Sequence, residues 1–429
     1  MRKQVILFIT ALFIGISIQA QDSLQIMQYN LLNYGNYWSD CTTTSNNVST
    51  KNIHLKKIIK YVKPDIFTVN ELSENTSYHQ MILDQVMNTD GVNYYRKAVS
   101  YNYADSYLVN MIFYNSNKLA LYRQDVVHSQ VRDIDVYTLY YKAADLAQTH
   151  DTAFLCCFVA HLKAGNSPSN ASARAGMVST AMTYIRTHEL PANMLFMGDF
   201  NLYTSEEQAY QNFIYSYNGT RYFYDPLNRE GHWNNNSSFK DIHTQSTHAA
   251  NVDCFSYGGL DDRFDFILAS ESMLSGSEHM KLLTNTYHVL GNDGQHFNKG
   301  IIDSPTNTSA PSDIINALYN MSDHMPVLTK ILVDASLGVH ESKTAITAIQ
   351  FKNPTTENFH FTLRLEKAQA IKMQIYNIFG HLVIEKNLDN NAEVIHEDIS
   401  LRGLSNGAYV LKFVDEKGNS VSRKFILKK

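Results

Sequence analysis

The sequence predicts an α+β protein in which layered sheets are covered by helices, followed by a small all-β domain. Three observations support this prediction. Apolar, strand-like runs alternate with segments of helical periodicity as far as about residue 335. Polar side chains gather where the strand-like runs end. After residue 347 the pattern changes to short strands with alternating apolar and polar residues.

Composition places the chain among ordinary globular proteins. It has 429 residues, of which 44% are hydrophobic and 18% are charged, and its net charge is −5. This length suits two or three domains with at least one large core. The balance excludes disordered and fibrous classes, and no strongly basic field marks a nucleic-acid partner.

The first twenty residues have the pattern of a signal peptide. Arg2 and Lys3 precede an apolar stretch over residues 5–18, and Ala20 supplies a small residue for cleavage before Gln21. The stretch is too short to span a bilayer, and no later segment resembles a spanning helix. We therefore expect a protein exported through the periplasm, secreted or held at the cell surface, without stable membrane insertion.

The elements of the larger domain follow in order. An apolar run predicts a first strand at 24–30, after which a polar loop covers 39–50. Apolar residues at i, i+3, i+4 and i+7 then predict a helix that Pro64 ends, and the same periodicity predicts helices over 78–86 and 175–185. The motif at 205–208 is typical of a capping box. Further strands are predicted at 66–71, 111–114, 154–162, 194–199, 264–268 and 327–333, with irregular loops at 217–260 and 291–313.

Polar residues close almost every one of these strands. The central run from residue 194 stops at Gly198-Asp199-Phe200-Asn201, which brings a carboxylate and an amide to the end of a buried strand. An aspartate can orient and deprotonate a water molecule, and an asparagine can donate to a charged oxygen. Such residues also make ordinary turns, so the inference depends on the whole set: Asn30, Glu71, His161, Asp199, Asn201, Asp265, Asp323 and His324.

These motifs, taken in order, resemble those of the endonuclease/exonuclease/phosphatase superfamily. The resemblance covers about residues 22–335, which we assign to a catalytic domain. It implies a deoxyribonuclease-like four-layer α/β/β/α sandwich and the hydrolysis of phosphate esters. It also implies a divalent metal ion, Mg²⁺ or in its place Mn²⁺ or Ca²⁺, held by Glu71 with Asn30 and Asp323 beside it.

The resemblance assigns the remaining residues to catalysis. Asp199 would orient the attacking water, and Asn201 would donate to the transition-state oxygens. His324 would contact the phosphate and share the acid–base chemistry, with Asp265 holding its tautomer and favouring its charged form. His161 would contact the phosphate from the opposite side of the cleft.

Two positions qualify the resemblance. Some nuclease members carry an acidic residue two places after the first asparagine, where this chain has Leu32, which weakens any two-metal arrangement. Arg174 resembles a positively charged helix position of the family, but we expect it on a solvated helix face.

Cysteine placement predicts one disulfide. Cys156 and Cys157 lie inside an apolar strand and are expected to be buried thiols, whereas Cys41 and Cys254 lie in polar loops where they can pair after export. Four cysteines allow three complete pairings, and no spacing suggests zinc.

The tail is a separate domain. A small-residue linker at 336–347 precedes alternating strands such as 373–380 and 407–413, which predict a β-sandwich over 348–429. This segment resembles the C-terminal sorting domain of the type IX secretion system, whose machinery would be its partner. The alternative is an adhesive or carbohydrate-binding module.

The function that follows is that of a secreted, monomeric, metal-dependent phosphoesterase, with an extracellular nuclease as the first choice. Arg221, Arg229 and Lys240 in the 217–260 loop favour a nucleic-acid substrate. A phospholipid hydrolase of the sphingomyelinase type or a sugar-phosphate phosphatase would use the same chemistry. A non-catalytic surface binding protein is the alternative from another class.

Overall fold

The structure, a computed structural model, forms two compact units, Met1–Ser336 and Leu337–Lys429. Both the signal peptide predicted at 1–20 and most of the linker predicted at 336–347 lie outside the described residues. Those are 21–127, 131–144, 146, 152–215, 222–334, 345–377, 381–388, 392–416 and 418–429.

The first unit contains two six-stranded sheets of similar design. In each sheet one parallel pair lies near the centre, β1 with β2 or β7 with β8, and the other neighbours are antiparallel. The first sheet has the order β11-β12-β1-β2-β4-β3 and comprises β1 (Gln21–Tyr34), β2 (Ile66–Ser73), β3 (Tyr95–Lys97), β4 (Leu108–Asn115), β11 (Met280–Val289) and β12 (Val327–Asp334). The second has the order β5-β6-β7-β8-β10-β9 and comprises β5 (Leu119–Val127), β6 (Ile134–Tyr141), β7 (Phe154–His161), β8 (Met194–Asp199), β9 (Phe223–Tyr224) and β10 (Asp265–Ser270).

Helices cover the outer faces of these sheets, and the inner faces pack together through contacts such as β1 with β8 and β2 with β7. On the first sheet, α1 packs against α6 and against the π-helical turn Ile82–Met87 that continues α2. On the second, α3 and α4 share one apolar core with β7, β8 and β10. The helices are α1 (Val48–Val62), α2 (Thr76–Met81), α3 (Pro168–Thr187), α4 (Gln208–Ile214), α5 (Glu271–Ser275) and α6 (Ser312–Met321). The predicted four-layer α/β/β/α sandwich is confirmed.

The predictions of individual strands and helices were partly confirmed. All the predicted strands are present within a few residues, but β3, β5, β6, β11, α5 and α6 were not predicted. The capping box was wrong: α4 begins at Gln208, and its N-cap residue, Glu207, makes no capping bond. The Glu207 carboxylate instead accepts hydrogen bonds from Arg174 and from the Tyr203 backbone N–H. The Glu207 carboxylate is thus part of a long-range ion pair.

The predicted disulfide is confirmed. Cys41 and Cys254 are bonded across 213 residues of sequence, and Cys156 and Cys157 are buried free thiols in β7. Within the described residues, no helix is long and apolar enough to cross a membrane.

The second unit is a seven-stranded β-sandwich, as predicted. Its sheets have the orders β13-β14-β17 and β16-β15-β18-β19 and enclose one apolar core. The strands are β13 (Ile346–Phe351), β14 (Asn358–Leu365), β15 (Ile371–Asn377), β16 (Leu382–Leu388), β17 (Val394–Ser400), β18 (Gly407–Asp415) and β19 (Ser420–Leu427).

Candidate active site

The structure brings all eight residues named from the sequence to one edge of the sandwich. Strand register explains much of this, because His161 is paired with Asp199 and Asp199 with Asp265 across neighbouring strands of the second sheet. In the first sheet Asn30 is paired with Asn70, which precedes Glu71. Two sheets packed face to face therefore present their strand ends to a common cleft.

Gly198 permits the close packing beneath the central aspartate. Its φ is +146°, and a Cβ at this position would lie 1.8 Å from the Ala160 carbonyl oxygen. Only glycine fits so close to the neighbouring strand without shifting the backbone. The residue type thus sets how near Asp199 comes to β7.

Three polar residues form the first part of the site. Asn30 Nδ2 donates to Glu71 Oε1 and to Asp199 Oδ2, at 3.0 Å in each case. The other oxygen of Glu71 accepts from the Asn33 backbone N–H at 2.9 Å. Asn30 Oδ1 accepts from the Leu32 N–H, so the amide nitrogen of Asn30 faces the two carboxylates. Asn30 thereby orients Glu71 and Asp199 toward each other.

His324 forms the second part, together with two carboxylates. Its Nδ1 lies 2.7 Å from Asp265 Oδ2, and its Nε2 lies 3.7 Å from Asp199 Oδ2. All three side chains are buried. An imidazole held at Nδ1 by a carboxylate, with Nε2 directed toward a second one, has the geometry of a positioned acid–base group.

Asp323 lies on the wall formed by the loop before β12. Its Oδ2 accepts from Gln245 Nε2 at 3.0 Å and from the Ser256 backbone N–H at 3.2 Å. The same Gln245 amide lies 2.8 Å from His324 Nε2. The long irregular segment predicted at 217–260 therefore reaches the site directly through Gln245.

Asn201 and His161 complete the set. The Asn201 backbone N–H donates to Asp199 Oδ1 at 3.0 Å, and its side-chain nitrogen lies 3.3 Å from the Leu162 carbonyl oxygen. His161 Nε2 lies 3.5 Å from Asp199 Oδ2 and 3.8 Å from Glu71 Oε1. Among the described residues, its buried Nδ1 has no hydrogen-bond partner.

Burial and neighbouring charges set the protonation states. Burial raises the pKa of Asp199 to about 7, and Asp265 and Glu71 add to the rise while His324 opposes it. Burial alone would lower the pKa of His324, but Asp265 and Asp199 outweigh burial and hold it well above its usual value. Burial, with help from Arg132 and His324, holds the pKa of His161 well below its usual value. These shifts favour the charged form of His324 and the neutral form of His161.

A divalent cation fits one part of this cluster. Within the described chain, Glu71, His161 and Asp199 offer ligand atoms that all lie within 4.8 Å of one another. Two carboxylates and a neutral imidazole are suitable donors for Mn²⁺, and the carboxylates also suit Mg²⁺. The set differs from the one the resemblance implies, and the two share Glu71.

Arg174 does not lie on a solvated face, so that prediction was wrong. Its side chain is 1% exposed and forms a two-point ion pair with Glu207, with nitrogen–oxygen distances of 2.7 and 2.8 Å. Its remaining nitrogen donates to the carbonyl oxygens of Lys163 and Gly165. The arginine fastens the loop after His161 to the loop after Asn201, which is a structural role.

Sequence reasoning missed four residues near the site. Asn70 accepts the Asp199 N–H at 2.8 Å, and Lys51 donates to the Leu32 carbonyl oxygen at 2.7 Å. Arg132 lies close enough to shift the pKa of His161, and Gln245 touches Asp323 and His324. Of the four, only Lys51 could have been found from the sequence. It lies four residues before Leu55, on the apolar face of α1, where a lysine is unexpected.

Lys51 is a buried lysine beside the turn at Leu32. The lysine is 3% exposed and also donates to Asn46 Oδ1 at 2.8 Å. Burial lowers its pKa to about 7, and Asp323 and Glu71 counteract that fall. At Leu32, where some family members carry an acid, this chain thus places an apolar side chain whose carbonyl oxygen binds a lysine.

Comparison with known proteins gave one family match and several similar structures. Residues 351–428 match the family described as the secretion system C-terminal sorting domain. No curated protein matched the chain.

The similar structures share little sequence identity with this chain. One is TDP2 of D. rerio complexed with a single-strand DNA product, at 12% identity, covering 72% of this chain and 98% of that one, with a TM-score of 0.44. A mannosyl-6-phosphatase of Bacteroides thetaiotaomicron shows 15% identity, covering 72% and 99%, with a TM-score of 0.44. An endonuclease/exonuclease/phosphatase family protein of the same species shows 16% identity, covering 76% and 100%, with a TM-score of 0.43. The chain thus carries a secretion system C-terminal sorting domain at its C-terminus, and solved structures similar to it are endonuclease/exonuclease/phosphatase proteins.

Proposed function

We propose that the first unit is a metal-dependent phosphoesterase that cleaves phosphodiester bonds, acting as an extracellular nuclease and as a monomer. The observation that carries the proposal is the buried constellation at the strand ends, in which His324 contacts Asp265 at 2.7 Å and approaches Asp199 at 3.7 Å. A binding module gains nothing from burying three ionisable groups in contact. Catalysis explains them, because perturbed protonation states suit acid–base chemistry.

Glu71 would hold the metal ion, with two candidate sets of companions. The resemblance implies Asn30 and Asp323, whereas the 4.8 Å cluster offers His161 and Asp199. The ion would supply charge neutralisation for the phosphoryl oxygens when bound. In titrations, Glu71→Gln should weaken metal binding under either set. A loss with His161→Gln but not with Asp323→Asn would select the cluster, and the reverse result would select the set implied by resemblance.

The chain's own residues supply the remaining steps. Asp199, with a pKa of about 7, is suited to accept a proton from the attacking water. Asp265 and Asp199 favour the charged form of His324, which would donate from Nε2 to a phosphate oxygen while Asp265 holds Nδ1. The neutral His161 would contact the phosphate from the β7 side, and Asn201 would donate to the oxygens of the transition state.

Substrate choice depends on the surfaces around the cleft. Arg132 places a cation near Glu71 and Asp199, which favours a phosphate-rich substrate. Of the cations named from the sequence, Arg221 lies outside the described residues, and Arg229 is paired with Asp241. Nucleic acid remains our first choice, bound through this local charge and the metal rather than through a basic field.

A phospholipid headgroup is the second candidate. Trp38 and Tyr257 are 79% and 63% exposed, on the two loops that the disulfide joins. Exposed aromatic side chains of this kind suit contact with a lipid surface.

A panel assay of the purified protein decides between these substrates. DNA, RNA, sphingomyelin and sugar phosphates are offered with Mg²⁺ or Mn²⁺, at low and raised salt. Cleavage of DNA or RNA that weakens with salt supports the nuclease, and release of phosphocholine alone selects the lipid. Failure to hydrolyse any ester contradicts the proposal and favours a surface binding protein. The sorting domain indicates export by the type IX machinery, so the assay uses the protein after oxidative folding.

A further inference from the structure

We propose that the Cys41–Cys254 disulfide is part of the active-site machinery, because it ties together the two loops that orient Glu71 and Asp323. Metal binding and turnover should then depend on its oxidation. The inference rests on the proposed function only for its activity readout.

The first loop begins at the site itself. The Asn33 backbone N–H donates to Glu71 Oε2 at 2.9 Å, and the Asn33 side chain donates to Cys41 Sγ at 3.5 Å. Asn46, at the far end of the loop, donates to the Asn33 carbonyl oxygen at 2.7 Å. Leu32 and Asn33 both have left-handed backbone angles, with φ of 48° and 47°, and at Leu32 this conformation is costly unless the surroundings hold it. The loop therefore needs outside support to keep its N–H on Glu71.

The second loop reaches the opposite wall of the cleft. Ser256, two residues after Cys254, donates its backbone N–H to Asp323 Oδ2 at 3.2 Å. The Ser256 carbonyl oxygen accepts from Ser246 Oγ, and Gln245 beside it also donates to Asp323 Oδ2. This loop is largely exposed and contains no strand or helix over 249–258.

The disulfide links these two loops covalently. It brings the Cα atoms of Cys41 and Cys254 to 4.4 Å, although the residues are 213 apart in sequence. A continuous path thus runs from Glu71 through Asn33 to the disulfide, and from there through Ser256 to Asp323. Hydrogen bonds to ligating carboxylates commonly change metal affinity or activity by 10- to 100-fold when they are lost. We expect reduction to act through these two N–H groups.

Oxidation and reduction of this pair can be written as simple exchange. Dithiothreitol delivers two electrons and two protons, the S–S bond breaks to two thiols, and the reagent leaves as its cyclic disulfide. Oxidised glutathione reverses the step by taking up two electrons and two protons and leaving as two molecules of reduced glutathione. An exported enzyme built this way would remain weakly active until it reached an oxidising compartment.

The test compares oxidised and reduced protein by Mn²⁺ calorimetry, ester hydrolysis and thermal unfolding. We expect the reduced form to stay folded at the assay temperature, to bind Mn²⁺ about tenfold or more weakly and to lose turnover by a similar factor, with recovery in oxidised glutathione. The double variant Cys41→Ala/Cys254→Ala should have the Mn²⁺ affinity and turnover of the reduced form, and dithiothreitol should change neither. The control Cys156→Ala/Cys157→Ala, which keeps the disulfide, should retain the full response.

A second variant distinguishes the proposed effect on the loops from unfolding caused by loss of the disulfide. Ser246→Ala keeps the disulfide but removes the hydroxyl that holds Ser256, so Mn²⁺ affinity should again fall. Equal Mn²⁺ affinity in oxidised and reduced protein, a change in thermal stability alone, or an unaffected Ser246→Ala protein would overturn the inference. If the oxidised protein binds Mn²⁺ but hydrolyses no ester, the proposed function fails while the affinity comparison still decides the inference. If neither form binds Mn²⁺, both fail.

Discussion

At the scale of single residues, the site is a set of paired groups in which each side chain fixes the state of its neighbour. Asn30 orients Glu71 and Asp199, and Asp265 holds His324. Burial makes these pairings strong, because an isolated charge is costly away from water. Removal of one member should therefore change both the protonation and the position of the next.

Replacement of Asp199 or His324 tests the chemistry directly. Asp199→Asn and His324→Gln should each lower the rate of ester hydrolysis by about 10²-fold or more, the usual contribution of one acid–base group. Folding should persist, which circular dichroism can verify. Full activity in either variant would contradict the proposed mechanism.

The pH profile gives a second residue-level test. Asp199 must be ionised to act as a base, so turnover should fall as pH drops below about 7, where it takes up a proton. A bound cation favours the carboxylate and moves this limb to lower pH. The charged His324 should maintain activity at neutral pH because its pKa lies well above its usual value. Turnover that shows no acidic limb down to the pH at which the protein unfolds would contradict this assignment.

Lys51 provides a test of charge balance. Lys51→Met removes a buried cation from the field of Glu71 and Asp323, so divalent-metal affinity should rise several-fold. The free energy of unfolding should fall by about 1–3 kcal/mol, since the Leu32 carbonyl and Asn46 lose their donor. Lys57→Met, an exposed change on the same helix, makes the same side-chain replacement away from the site and should do neither. Calorimetry and denaturant titration measure both effects.

At the scale of elements, a buried polar chain joins the two sheets behind the site. Gln28 donates to Asn70, Asn70 to Asn110 and Asn110 to Asp135, with distances of 2.7, 2.7 and 3.1 Å. Asn70 also accepts the Asp199 N–H, so this chain couples sheet packing to the position of Asp199. Polar groups at the inner faces fix the register of the sheets, which apolar packing alone leaves less specific.

Asp135 makes this chain sensitive to pH. Burial raises its pKa from 3.8 to about 7, with Asp133 adding to the rise. The stabilising effect of its protonated form is therefore complete below about pH 3.8 and is lost as pH rises through about 7. Asp135→Asn cannot ionise, so relative to the parent it should gain stability between pH 4 and pH 8, by up to about 4 kcal/mol. Denaturant titrations of both proteins at the two pH values measure it, and an equal difference at both would refute it.

At the scale of the whole molecule, the proposed active site and the sorting domain belong to different units. Each unit has its own core, and the second consists of strands around apolar residues such as Phe361, Met373 and Phe413. The sorting domain accounts for the second unit, so the first should fold and act without it.

Truncation after residue 347 tests this division. The shortened protein should retain the metal affinity and turnover of the full chain in vitro, because the site residues all lie in the first unit. In the native host it should accumulate inside the cell. Mass spectrometry of the secreted full-length protein should find a start at or near Gln21 and loss of the tail. Normal secretion of the truncated protein would contradict the prediction.

The sequence by itself determined the layered architecture, the β-sandwich tail and the residues at the strand ends. Periodicity and strand-end chemistry are local, and they survive in the folded protein because the sheets are built from them. It also indicated the correct pair of loop cysteines, since the other two lay inside a buried strand.

Only the tertiary structure decided which groups meet. Glu207 pairs with Arg174 from another element, and Lys51 approaches Glu71 and Asp323 beside the turn at Leu32. Gln245 and Asn70 join the site across sequence distances that no periodicity reports. Contacts of this kind depend on how two sheets pack and where loops return, and burial then sets their strength, so they are properties of the folded chain rather than of any one segment.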